Sequence, residues 1–215
     1  MVADTVHYLV MEEGAWEIDG VRCEAQRYTS TVTDENNAWN GERQAYLQAY
    51  DQPVVLGQVM SENDPRWSVF WCCGNRRQNP PSRTVLTTGK TVCEDPDATR
   101  AAETVGFIVF EEGHGSIGGI PFEARLGPDS VAGTGNAPPY TYGYLAPFVA
   151  APAVHLATVA GMDGGDGGWA YTYHEATTPA GINLAIDEDQ TANNERNHTS
   201  EQVGYVVFAA PPVIP

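Results

Sequence analysis

Lysine is all but absent from this chain. Lys90 stands alone; the other ten basic residues are arginines, set against 28 acidic residues, and the net charge is −17 over 215 residues. A chain this negative repels phosphate, which disfavours nucleic-acid binding and adhesion to anionic lipid. No apolar run approaches the ~18 residues that a membrane helix requires, so membrane insertion is not expected. The start, Met1 to Val10, has neither a basic segment nor a long apolar core, so it is not read as a secretory signal. It reads as a strand that begins at once, as in a mature chain or a fragment of a longer one. None of His7, His114, His155, His174 and His198 belongs to an HExxH, and no cysteine and histidine sit at metal-ligand spacing. His114-Gly-Ser-Ile-Gly118 lacks the leading glycine of a nucleophile elbow and reads as a glycine hairpin between strands. An enzyme is therefore not expected.

What the chain does have is a repeat. Asp4-Thr-Val-His-Tyr-Leu-Val-Met-Glu-Glu-Gly14 returns 99 residues later as Glu103-Thr-Val-Gly-Phe-Ile-Val-Phe-Glu-Glu-Gly113. The match runs without a gap to Glu24-Ala25 and Glu123-Ala124, with 10 identities in 22 positions. The motif appears a third time as Glu201-Gln-Val-Gly-Tyr-Val-Val-Phe208, 98 residues further on. Pro53 to Val59 also matches Pro152 to Val159, and Trp67 to Trp71 matches Trp169 to Tyr173. Self-similarity at a fixed period identifies homologous structural units. We divide the chain into a first unit at 1–112, a second at 113–208, and a proline-rich tail or linker at 209–215.

The units read as all-β. Runs rich in Val, Ile, Thr and aromatic residues, bounded by Gly, Pro, Asn and Asp, predict strands at 5–11, 20–25, 53–60, 67–72, 84–93 and 104–110. The second unit gives 119–124, 152–160, 169–174, 181–186 and 202–208. No segment sustains a 3.6-residue period. The expectation is two homologous antiparallel β-sandwich units in tandem. Three copies of one strand motif in two units leave a surplus. The extra copy must fold back, bridge the units, or add to the sheet of another chain.

The order of these parts resembles H-type lectin-like domains. The matching stretches are Tyr50-x-x-Pro53-Val-Val55, Trp67 to Trp71, Thr84 to Cys93 and Val105 to Val109. In unit two they are Phe148 to Val154, Trp169 to Tyr173, Gly181 to Ile186 and Val203 to Val207. The resemblance covers about 70 residues of each unit and rests on strand order and hydrophobic pattern. It implies small antiparallel sandwiches, oligomerisation, and sugar binding at subunit edges; no sugar-contacting residue carries over by position. The doubled repeat also resembles tandem modules of large secreted or surface proteins.

Candidate sites follow from residue chemistry. Asn36, Asn37 and Trp39 sit in a polar loop, and Tyr140 and Tyr142 in a second one. Aromatic faces with neighbouring amides suit a sugar ligand; rings folded over a core edge or set in a subunit contact are the alternative. Asp187, Glu188 and Asp189 form the densest acidic cluster and offer oxygen ligands for calcium; a solvated acidic loop is the alternative. Asp163-Gly-Gly-Asp-Gly-Gly168 reads as a flexible turn. Cys72 and Cys73 would face opposite sides of a strand. Together with Cys23 and Cys93 they suggest two disulfides of undetermined pairing and an oxidising compartment. Asn197-His198-Thr199 is a glycosylation sequon. The scarcity of lysine would also suit a salt-adapted source. The reading is a non-catalytic extracellular or cell-surface module that binds glycans or adheres. A structural subunit of a filament, sheath or shell, assembling from copies of itself as a homo-oligomer or polymer, is the alternative.

Overall fold

The computed structural model describes residues 6–212. Position 5 of the expected first strand and residues 213–215 of the expected tail lie outside the described residues; residues 209–212 hold no strand.

The first half contains β1 (Gly14–Ile18), β2 (Val21–Ser30), β3 (Thr33–Asp34), β4 (Glu42–Gln44), β5 (Pro53–Val59), β6 (Val69–Cys73), β7 (Leu86–Thr91) and β8 (Glu103–Glu111). The second contains β9 (Gly113–Ile117), β10 (Ile120–Leu126), β11 (Tyr140–Gly143), β12 (Val154–Val159), β13 (Gly168–Thr177), β14 (Gly181–Glu188) and β15 (Val203–Phe208), with one 3-10 turn at Thr134–Asn136. The chain is all-β, in small and mostly antiparallel sheets, as its strand patterns predict.

The duplication is visible strand by strand. In the first half β8 lies between β2 and β5, with β1 outside β2; in the second β15 lies between β10 and β12, with β9 outside β10. Each half adds a second sheet: β3 and β4 beside β7 with β6 on its other side, and β11-β14-β13. Buried carboxylates recur as well. Glu24 accepts the backbone N–H of Leu47 at 2.9 Å, and Glu123 that of Leu145 at 2.7 Å. Glu103 accepts those of Asn63 at 3.1 Å and Asp64 at 2.8 Å; Glu201 takes Asp163 at 2.9 Å and Gly164 at 2.8 Å. In each pair the same repeat position ties down the same loop, because a buried N–H without an acceptor is costly.

The expectation of two separate sandwiches needs correction. Within each half the two sheets do face each other, through Val55, Leu86, Phe107 and Val109 in one and Ile182, Leu184, Val203 and Tyr205 in the other. The opposite faces of β8 and β15 are also apolar, and they cover one another. Phe110, Phe122, Val206, Phe208, Val54 and Leu56 make one core across the two halves. A sheet with two apolar faces must bury both, so the halves share a core rather than hang from a linker. Met162, in the segment between β12 and β13, packs with Trp71 and Cys73 of β6 and so ties the second half to the outer sheet of the first. The edge strands β5, β6, β12 and β13 then surround a channel of about 260 Å³. The result is a propeller-like ring of four small sheets.

A second correction concerns the first copy of the strand motif. Residues 6–11 form no strand and belong to no sheet of the described chain, though His7 Nδ1 accepts the backbone N–H of His155 at 3.2 Å. They run extended over the face of the first sheet, with Leu9 and Met11 packed on the shared core and the ring of His7 against His155.

The third concerns the cysteines. Cys23, Cys72, Cys73 and Cys93 are all free and buried. Cys72 and Cys73 do face opposite sides of β6, and those sides lead into different clusters; Cys23 belongs to a third. Burial raises the Cys23 thiol to about 11 and the Cys93 thiol to about 12, both further raised by nearby carboxylates. These are inert core thiols, not the two expected disulfides, and they do not point to an oxidising compartment.

Candidate functional site

The segment between β12 and β13 gathers the chemistry. Its glycines are there for close approach, so the expected flexible turn is instead a packed one. A Cβ at Gly164 would lie 2.3 Å from the His198 ring, one at Gly165 2.1 Å from Asn37, and one at Gly167 2.5 Å from the Cys93 sulfur. Gly167 also has φ +88, a conformation that favours glycine. Backbone bonds from Asn37 N–H to Gly165 O (2.7 Å) and from Met162 N–H to Arg77 O (2.9 Å) stitch this segment to the first half.

His198 sits at its centre, buried between two buried glutamates. Its Nδ1 bonds to Glu188 and its Nε2 lies 3.0 Å from Glu201 Oε1. Burial by itself would lower the imidazole's pKa, but the bond to Glu201 and the charges of Glu188 and Glu201 outweigh it, and the value is raised. Burial raises Glu188 to about 7, against the pull of His198 and with a further push from Asp166. Asp163 is raised as well, by burial and by Glu201. The ring bridges two buried glutamates, one of which, Glu201, also anchors the glycine segment. Unit one carries Arg100 at the corresponding repeat position. Its side chain is buried, bonds to Asp95 at 2.6 Å, and donates to the carbonyl of Trp67. One half holds a permanent cation there and the other a titratable one.

The expected calcium ligands are not brought together. Successive residues of a strand point to opposite faces. Asp187 turns out to pair with Arg196, while Glu188 turns in to His198. Asp189 accepts the backbone N–H of Glu94 at 2.8 Å and the hydroxyl of Thr191 at 2.8 Å. Glu188 does group with Asp166 and His198, with ligand atoms all within 4.8 Å of one another. One imidazole and two carboxylates are a donor set for a transition ion, not the six to eight oxygens that calcium takes. Both ring nitrogens are engaged by glutamates, Nδ1 by Glu188 and Nε2 by Glu201. Asp166 escaped the sequence reading because it lies 32 residues before His198, and Glu201, three residues after His198, reads as the start of the closing strand motif. The usable signal was the recurrence of Glu103 as Glu201.

The expected ligand residues also separate. Tyr142 is buried in the second half's core and donates to Pro128 O, a structural role that corrects its assignment to a ligand surface. Tyr140 is half-buried and donates to Asn136 O at 2.7 Å. Asn36 and Asn37 are exposed and bonded to each other at 2.6 Å. Trp39 is 45% exposed, its indole N–H directed at the Cys73 sulfur at 3.3 Å. Asn197 is exposed, while the middle residue of its sequon is the buried His198.

No family model matches the chain, and no solved structure does. A curated relative is halomucin from Haloquadratum walsbyi (strain DSM 16790 / HBSQ001), 26% identical over 215 residues. The match spans 97% of this chain and 2% of the relative. Essentially all of the fold described above thus corresponds to a small stretch of a far longer protein.

Proposed function

We propose that the chain is a non-catalytic structural module of an extracellular or cell-surface protein, one of a series of like units. The observation that carries this reading is the core shared by the two halves through Phe110, Phe122, Val206 and Phe208. Homologous units joined face to face by a continuous apolar core make a stiff segment, as in other stacked repeat proteins. The similarity to a small stretch of a much longer protein whose name marks it as a mucin supports the surface location. The charge of −17 favours solubility and repulsion between neighbouring chains. Antibody labelling of intact cells of the source organism tests the location: labelling without permeabilisation is expected, and labelling only after permeabilisation contradicts it.

A second reading, glycan binding, keeps one specific support. Trp39 is an exposed indole beside the exposed amides of Asn36, Asn37 and Asn40, a small apolar floor with polar groups around it. Glycan-array binding by the full chain that disappears in Trp39→Ala would favour this reading; an array with no signal above background removes it.

A further inference from the structure

The three copies of the strand motif differ in one respect. In the second copy Val105, Phe107 and Val109 are 0%, 2% and 0% exposed, covered by the second sheet of their own half. In the third, Val203, Tyr205 and Val207 are all 0% exposed, covered in the same way. The corresponding residues of the first copy, Val6, Tyr8 and Val10, are 79%, 78% and 83% exposed. The other face follows the repeat. Leu9 and Met11 pack on the shared core, as do their counterparts Ile108 and Phe110. The junction is repeated too: Glu12-Glu13-Gly14 leads into β1 as Glu111-Glu112-Gly113 leads into β9. A groove of about 650 Å³ remains between this segment and the first sheet, lined by Leu9, Met11, Leu56, Met60, Ile108 and Leu156.

Three exposed apolar residues alternating along an unpaired extended segment form an aggregation-prone edge unless something pairs with it. The other two copies show what does. Each is flanked by two antiparallel strands, β2 and β5 or β10 and β12, and covered on its odd-numbered face by a second sheet. We infer that residues 6–11 are the closing strand of a further unit of this same type, preceding the first in a longer chain, and that Val6, Tyr8 and Val10 are the surface on which that unit's second sheet docks. The unit would contribute strands equivalent to β10 and β12 on either side and a sheet equivalent to β11-β14-β13 on the face. This rests on reading the chain as one of a series of modules.

The test supplies the missing strands. Residues 113–202 are placed directly ahead of residues 6–215, so that the added unit lacks β15 and runs into residues 6–11 in its place. A control places residues 113–208 there, with its own β15 retained. Hydrogen exchange is read for both fusions and the parent chain. In the first fusion the amides of residues 7–11 should gain protection to the level of residues 203–208; in the control they should exchange as in the parent. Tyr8→Asp should melt the added unit of the first fusion and leave the unfolding midpoint of the parent chain unchanged. An added unit that stays unfolded while residues 7–11 exchange as in the parent overturns the inference, as does equal protection in the control. Such a failure, in a protein that labelling places on the cell surface, overturns this inference and leaves the surface module standing.

Discussion

Removing the Glu201 carboxylate should be among the most damaging single changes in the second half. Glu201 is 1% exposed and accepts the N–H groups of Asp163 and Gly164, besides its bond to the His198 ring. Glu201→Ala orphans the buried N–H of Gly164, at about 1–3 kcal/mol, and the half-buried N–H of Asp163, at less. It also breaks a buried ion pair, which typically costs about 3–5 kcal/mol. These losses share a network and do not add, so the expected destabilisation is about 3–5 kcal/mol. The pH dependence separates the ionic part from the packing part. Glu188, raised from 4.5 to about 7, holds a proton in the folded state that the unfolded chain has released between those values. Its contribution therefore declines as pH rises through that window, by at most about 1.4 kcal/mol per pH unit. His198, also raised, contributes fully below its unfolded value of 6.5 and loses this as pH climbs through its folded value. Both act in the same direction. His155, lowered to about 4 by burial and by His7, acts in the opposite one, losing stability as pH falls from 6.5. The difference between variant and wild type is thus the quantity to measure. Urea unfolding followed by tryptophan fluorescence at pH 5, 6, 7 and 8 should show the Glu201→Ala penalty shrinking toward pH 8. The penalty of Glu188→Gln should shrink in the same way. A loss below about 1 kcal/mol, or one that grows with pH, refutes the ionic bridge.

Other consequences are simpler to measure. All four thiols should be unreactive to a thiol reagent in the native chain and all four should titrate after denaturation without reductant, since Cys23, Cys72, Cys73 and Cys93 are buried and free; fewer than four would restore the disulfides. Lys90 is fully buried, with its ammonium bonded to Ser30 O at 3.1 Å. An amine-acylating reagent should therefore leave it unmodified until the chain unfolds, and native modification at Lys90 would show that β7 is not where it is placed. Phe208→Ala should cost about 3–5 kcal/mol, because the ring fills the core between the halves 6.0 Å from Phe122. Unfolding should remain a single transition; two separated transitions would mean that the halves do not share a core.

Much of this fold was legible because a strand writes its burial into alternate residues. Val105, Phe107 and Val109 announce a buried face, and the recurrence of Glu24 as Glu123 and of Glu103 as Glu201 announces two loops pinned alike. What the pattern could not express is which neighbour covers a face. The same alternation in residues 6–11 predicts a strand, yet strand formation needs flanking strands that the described chain does not offer there. Nor could composition separate a buried thiol from a bonded one: the opposed directions of Cys72 and Cys73 were correct, and they led to two apolar clusters. Tyr140 and Tyr142 looked alike in a polar loop, but they sit on β11, where Tyr142 packs in the core and Tyr140 stays half-buried. The His198 bridge was the least legible, because its members are brought together by strand pairing and by glycines that yield space.

Residue-resolved hydrogen exchange on the unmodified chain addresses the duplicated architecture most directly, because it compares three copies of one sequence motif in one molecule. Amides of residues 105–110 and 203–208 should exchange only when the whole chain unfolds, and those of residues 7–11 should exchange fast. Comparable protection in all three copies, or rapid exchange across residues 203–208, would contradict the arrangement of two covered copies of the motif and one uncovered copy.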